Sequence, residues 1–184
     1  MVVGTGMVLA MSACSSTADK ADKAATTAPV QPSASSAPAT PGADPTAKAT
    51  ADVLAIYQAY TDAKIAAMTT GQATPEKLLQ VATGDAYDSL ARDITRAQQA
   101  KIVYKGTEVT HPQVTAIDTT ASPQKATLTD CIDVSNWTAV FSSTGANAAA
   151  TGAPGRLLVN VGAVQVAGGA WRISDYTPDR SRTC

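Results

Sequence analysis

Few side chains in this sequence could do chemistry, and their spacing limits what that chemistry could be. The chain holds three cysteines, Cys14, Cys131 and Cys184, and one histidine, His111. The stretch "KATLTDCIDV" adds two carboxylates, Asp130 and Asp133. Read as a strand, it puts Ala126, Leu128, Asp130, Ile132 and Val134 on one face and Thr127, Thr129, Cys131 and Asp133 on the other. Asp130 thus sits among apolar neighbours. There a carboxylate either takes part in acid–base catalysis or is bonded to a backbone N–H, an indole or an arginine. Asp133 faces away, so the two cannot share a metal ion without a bulge between them. His111 precedes Pro112 with no cysteine or carboxylate at ligand spacing and no nucleophile to activate, which reads as a surface residue. No metal, no cofactor, no glycine-rich phosphate loop and no nucleophile elbow is expected.

The elements that would position Asp130 follow from hydrophobic period. Asp44 can cap a helix whose first residue is Pro45. From Asp52, "DVLAIYQAYTDAKIAAM" sets Val53, Ile56, Tyr57, Tyr60, Ala63 and Ala67 on one helical stripe. A second start lies at "TPEK", with Thr74 as cap, Pro75 in the first position, Glu76 in the first turn and Gly84 as the stop. A third helix runs from Asp85 to about Ala100 with Tyr87, Leu90, Ile94 and Ala97 inward. After Lys101 the period falls to 2, and "KIVYKG", "PQVTAIDTT", "KATLTDCIDV", "WTAVFSS", "RLLVNVGAVQVA" and "AWRISDY" read as strands. Ser143 to Gly155 is a small-residue loop, and Ala167 to Ala170 a tight turn closing a hairpin. Arg156 to Val166 is apolar on both faces and belongs in the middle of the sheet. Helices first and then antiparallel strands is an α+β pattern, in which a curved sheet wraps the helices.

Composition narrows the partners. A formal charge of −1 with 16% charged residues leaves no basic surplus for a phosphate backbone, which excludes nucleic acid. Val2 to Ala13 is apolar but too short for a bilayer and fits the core of an export signal, residues 1–14. No Lys or Arg precedes it, so the start of the signal is expected upstream of Met1. "MSAC", with Ser12 and Ala13 before Cys14, resembles the lipobox of bacterial lipoproteins, although Met11 stands where that family usually has Leu. The resemblance implies that Cys14 carries the lipid. Residues 15–47 hold five of the ten prolines and no large apolar side chain beyond Val30, so they cannot bury enough surface to fold. Such a disordered linker reaches on the order of 30 Å as a flexible coil. With Cys14 acylated, Cys131 and Cys184 remain as an even pair able to form a disulfide. Closing that loop is worth about 4 kcal/mol in the chain-entropy account.

Residues 48–184 resemble the cystatin-like cone of the nuclear transport factor 2-like superfamily, and more closely the small actinobacterial lipoproteins with that fold. The resemblance rests on the long first helix, "LTDCIDVSNW" at Leu128 to Trp137, the "GGAWRISDY" hairpin and the terminal Cys184. It implies N-terminal helices packed in a curved antiparallel sheet around a cavity. In isomerases of that superfamily, cavity carboxylates work with a tyrosine of the first helix, a place Tyr57 or Tyr60 could take beside Asp130. Trp137 and Trp171 would join Tyr57 and Tyr60 as walls for a small apolar ligand. The expected function is a membrane-anchored, extracytoplasmic, non-catalytic binding or interaction module. The alternatives are a small isomerase- or dehydratase-like enzyme using Asp130 and a helix tyrosine, and a protein–protein adaptor using the open sheet face.

Overall fold

The structure, a computed structural model, describes residues 44–184 except Arg180 and Thr183. The expected signal, Cys14 and all but residues 44–47 of the expected linker lie outside the described residues. Helix α1 spans Pro45–Thr70, with the Asp44 carboxylate accepting the Thr46 N–H at 2.9 Å and Gly71 closing it at φ 67°. The helix therefore begins inside the expected linker, ahead of residue 48. Its buried stripe is Ala49, Val53, Tyr57, Tyr60, Thr61 and Ala67, with Ile56 and Ala63 at its half-buried margins.

Helix α2 spans Pro75–Val81 and buries Leu78. Helix α3 spans Gly84–Gln99 and buries Ala86, Leu90 and Ile94, while Tyr87 and Ala97 are half-buried. Gly84 was expected to stop the second helix and instead opens the third at φ 54°. The reason is tertiary. Ala82 bridges to Ile173 and the Thr83 N–H donates to the Ile173 carbonyl at 2.8 Å, so the chain is held extended before Gly84 is reached.

Six strands follow: β1 Ile102–Gly106, β2 Pro112–Asp118, β3 Lys125–Asp133, β4 Trp137–Phe141, β5 Arg156–Gln165 and β6 Trp171–Asp179. They form an antiparallel four-stranded sheet in the order β2-β3-β5-β6 and a two-stranded sheet β1-β4. In place of the one curved sheet expected, two sheets meet at a bend, where Val109 and Asp133 exchange backbone hydrogen bonds of 3.0 and 2.8 Å. Three strands end at an Asp whose carboxylate takes hydrogen bonds two residues on, Asp118 from Thr120, Asp133 from Ser135 and Asp179 from Ser181. Such local bonding competes with the ladder and stops it. β3 and β5 lie inside the larger sheet, and Gly168 and Gly169, both at positive φ, make the β5–β6 turn. The core lies between the helices and one face of this sheet, with Ala126, Leu128, Ile132, Val159, Val161, Ala163, Trp171 and Ile173 facing α1, α2 and α3.

The bend needs a glycine. Gly106 sits at φ 87°, and a Cβ there would lie 1.8 Å from the Asn136 carbonyl oxygen, which is backbone and cannot turn aside. Gly106→Ala is therefore expected to cost about 1–3 kcal/mol in backbone strain alone, read as a lowered denaturant midpoint. Gly152→Ala, also at positive φ but with open space around it, isolates the conformational part of that loss.

Candidate functional site

The face assignment of β3 holds: Ala126, Leu128, Asp130 and Ile132 are buried, and Asp130 is 1% exposed. Both of its oxygens are occupied. The Tyr57 hydroxyl donates to Oδ2 at 2.6 Å, and the His111 backbone N–H donates to Oδ1 at 2.6 Å. The second bond has a local cause. Pro112 stands opposite Asp130 in the ladder and has no N–H, so the last amide before β2 turns to the side chain for its acceptor. The His111 ring is exposed, as expected, with Nδ1 3.1 Å from the Cys131 carbonyl.

Of the two candidate tyrosines, the structure brings Tyr57 to Asp130 and sends Tyr60 elsewhere. Tyr60 packs on Tyr176 with ring centroids 5.3 Å apart. Tyr176 belongs to a second polar group that the sequence did not single out. Lys64 Nζ lies 2.6 Å from Glu108 Oε1 and donates to the Tyr176 hydroxyl at 2.8 Å. Glu108 and Thr61 are also buried. A signal existed for Lys64, because it stands seven residues after Tyr57 and so falls on the apolar stripe of α1. None existed for Glu108, which lies between strands in "GTEVTH". Tyr176 was hidden by a bulge. The register shift between Gly162 and Ala163 moves β6 by one residue, so that Tyr176 rather than Asp175 follows Ile173 inward.

Burial is the main cause that raises the phenols of Tyr57, Tyr60 and Tyr176 far above their ordinary value of 10.0. The carboxylates of Asp130 and Glu108 add to it for Tyr57 and Tyr176. Because the folded values lie above the unfolded one, this contribution to stability is complete below pH 10 and is lost as pH climbs beyond it. In an alkaline titration, the phenolate absorbance of these three tyrosines is expected to rise only together with loss of circular dichroism. Ionisation of all five tyrosines while the fold persists would contradict this burial.

The four expected cavity walls do not come together. Tyr57 and Tyr60 are core residues, each 1% exposed. Trp171 is buried in the same core and lines a surface pocket of about 370 Å³ with Asp52, Ala55, Ile56, Gln80, Gly169 and Ala170. Trp137 lies in the other sheet, half-buried and stacked on Tyr104 at 5.1 Å. Among the described residues no group of three His, Cys, Asp or Glu is placed to hold a metal ion. Cys131 and Cys184 form a disulfide with Cα atoms 5.8 Å apart, on the sheet face turned away from the core. No described helix is long and apolar enough to cross a membrane.

These features define an α+β domain that encloses Asp130 with Tyr57, and Lys64 with Glu108 and Tyr176, between its helices and its sheets. No family model and no curated protein matches the chain. Among solved structures it is similar to the intermembrane space region of the chloroplast protein ARC6, at 14% identity and a TM-score of 0.47, over 70% of this chain and 95% of that one.

Proposed function

We propose that this protein is a non-catalytic binding or interaction module of the cell envelope, tethered outside the membrane by a lipid on Cys14 and built on a cystatin-like cone of the nuclear transport factor 2-like kind. The disulfide carries this reading. A Cys131–Cys184 cross-link persists in oxidising compartments and leaves Cys14 as the odd thiol, free for acylation. The long helix α1 packed against an antiparallel sheet supports the cone.

A module is favoured over the isomerase- or dehydratase-like alternative by the state of Asp130. A general base must reach its substrate, whereas Asp130 is sealed and has both oxygens filled by Tyr57 and His111. The adaptor alternative would use the outer sheet face, where Gln113, Thr129, Asn160 and Thr177 form a polar row.

Metabolic labelling with a lipid precursor tests the anchor. The wild-type chain is expected to take up label, Cys14→Ser to lose it, and Cys131→Ser with Cys184→Ser to keep it. An unlabelled wild-type chain removes the anchor and the envelope location with it.

A further inference from the structure

The sheet edges are not equally guarded. β2 carries Pro112 and a bulge between Val114 and Ala116. β6 carries Pro178, and Ala82 and Thr83 bond its edge at Ile173. β4 is covered by its own following loop, where the Phe141 N–H donates to the Ala146 carbonyl and the Ala148 N–H to the Ala139 carbonyl, both at 2.9 Å. Prolines, bulges and covering loops are the devices that keep an edge from recruiting another strand. β1 has none of these three: it is short, has Lys101 and Lys105 at its two ends, and is packed on by α1 and α3, which leave its outward backbone groups unbonded.

Its free groups can be read from the ladder. Ser142 donates to the Lys101 carbonyl, and Thr107 donates to the Asn136 carbonyl. Antiparallel alternation then turns residues 101, 103, 105 and 107 toward β4 and leaves Ile102, Tyr104 and Gly106 with their N–H and C=O on the outer side. Among the described residues no backbone hydrogen bond reaches these three from outside the β1–β4 ladder.

The side chains beside this edge divide by face. Ile102 and Tyr104 lie on one, with Trp137 opposite Gly106; because Gly106 has no side chain, the indole stacks across β1 on Tyr104. The result is a half-buried apolar ledge in a chain with only 4% aromatic residues. Nearby, Val109 and Phe141 are 51% and 41% exposed, two of the three large apolar side chains left open among the described residues. On the opposite face Lys101 and Lys105 are exposed at either end of β1.

The geometry points to β1 as the site where an extended segment of a partner protein adds as an extra strand, setting apolar side chains against Ile102, Tyr104 and Trp137 and acidic ones against Lys101 and Lys105. Main-chain bonds to the three free residues supply affinity, and the alternation supplies specificity. Charge selects the occupant. Pairing with a second copy would gather Lys101 and Lys105 of both chains on one face, whereas a segment with two acidic residues four apart neutralises them. This partner rests on the reading of the domain as a binding module.

The probe is the synthetic peptide Ser-Val-Glu-Val-Thr-Val-Glu-Val-Ser, with a control carrying Lys in place of both Glu, each titrated into the full chain. Slowed amide exchange is expected at Ile102, Tyr104 and Gly106, with the acidic peptide bound about tenfold tighter than the control. Lys101→Glu combined with Lys105→Glu should reverse that order in a chain whose circular dichroism is unchanged. Ile102→Pro, which removes one outward donor at the first residue of the strand, should weaken both peptides. Unchanged exchange at the three amides, or an order of affinity indifferent to the charge reversal, overturns the proposal. The underlying reading is tested separately, its anchor by lipid labelling at Cys14 and its enzyme alternative by turnover in the Asp130 variants, neither of which involves β1.

Discussion

Asp130→Ala is expected to cost the domain about 3–5 kcal/mol, a large share of the 5–15 kcal/mol by which domains of this kind are stable. The substitution removes two charge-assisted acceptors at once and strands two donors, the buried Tyr57 hydroxyl and the part-buried His111 N–H. Each such bond is worth about 1.5–3 kcal/mol, and each orphaned donor keeps its desolvation cost. Asp130→Asn should recover most of the loss, because its carbonyl can serve His111, an obligate donor, while its amide donates to a Tyr57 hydroxyl that rotates to accept. Tyr57→Phe should lie between, leaving Oδ2 unpaired but His111 served. Urea titrations of the three variants and the Tyr57→Phe/Asp130→Asn pair would give the coupling between the two side chains. Equal losses for Ala and Asn would mean that Asp130 does not hold His111. A variant that folds as well as wild type yet loses a catalysed turnover would return Asp130 to the enzyme reading.

The same site shows what the sequence could carry. Alternation along β3 placed Asp130 inward, and the helical stripe placed Tyr57 and Tyr60 inward, because both depend on the period of a single element. Which tyrosine meets Asp130 depends on how α1 lies across the sheet, a property of neither element alone. The bend is harder still. Gly106, Glu108, His111 and Pro112 act together only because Val109 pairs with Asp133, and "GTEVTH" has no period from which that pairing could be read. Gly84 misled for a related reason: a glycine can stop one helix or open the next, and the bond from Thr83 to Ile173 decides between them. Residue type alone puts the two tryptophans together, whereas the division into two sheets separates Trp137 from Trp171.

The Lys64–Glu108 pair should reveal an asymmetry that follows from side-chain reach. Lys64→Met is expected to cost about 3–5 kcal/mol, because it leaves the Glu108 carboxylate, 3% exposed on a short stem, without its cation. It also removes the donor to the Tyr176 hydroxyl. Glu108→Leu should cost clearly less. The lysine it releases is 12% exposed, keeps Tyr176 as a partner and can extend its ammonium toward water on a four-carbon stem. Removing the whole group in Lys64→Met/Glu108→Leu/Tyr176→Phe should return stability to within about 1 kcal/mol of wild type or above it, since packed apolar side chains often replace a buried pair without loss. Chemical denaturation of the four proteins reads all of these terms. If the triple variant is no more stable than Lys64→Met alone, the pair more than offsets its own burial and fixes the bend against α1. The β1–β4 sheet would then lose amide protection before the larger sheet does.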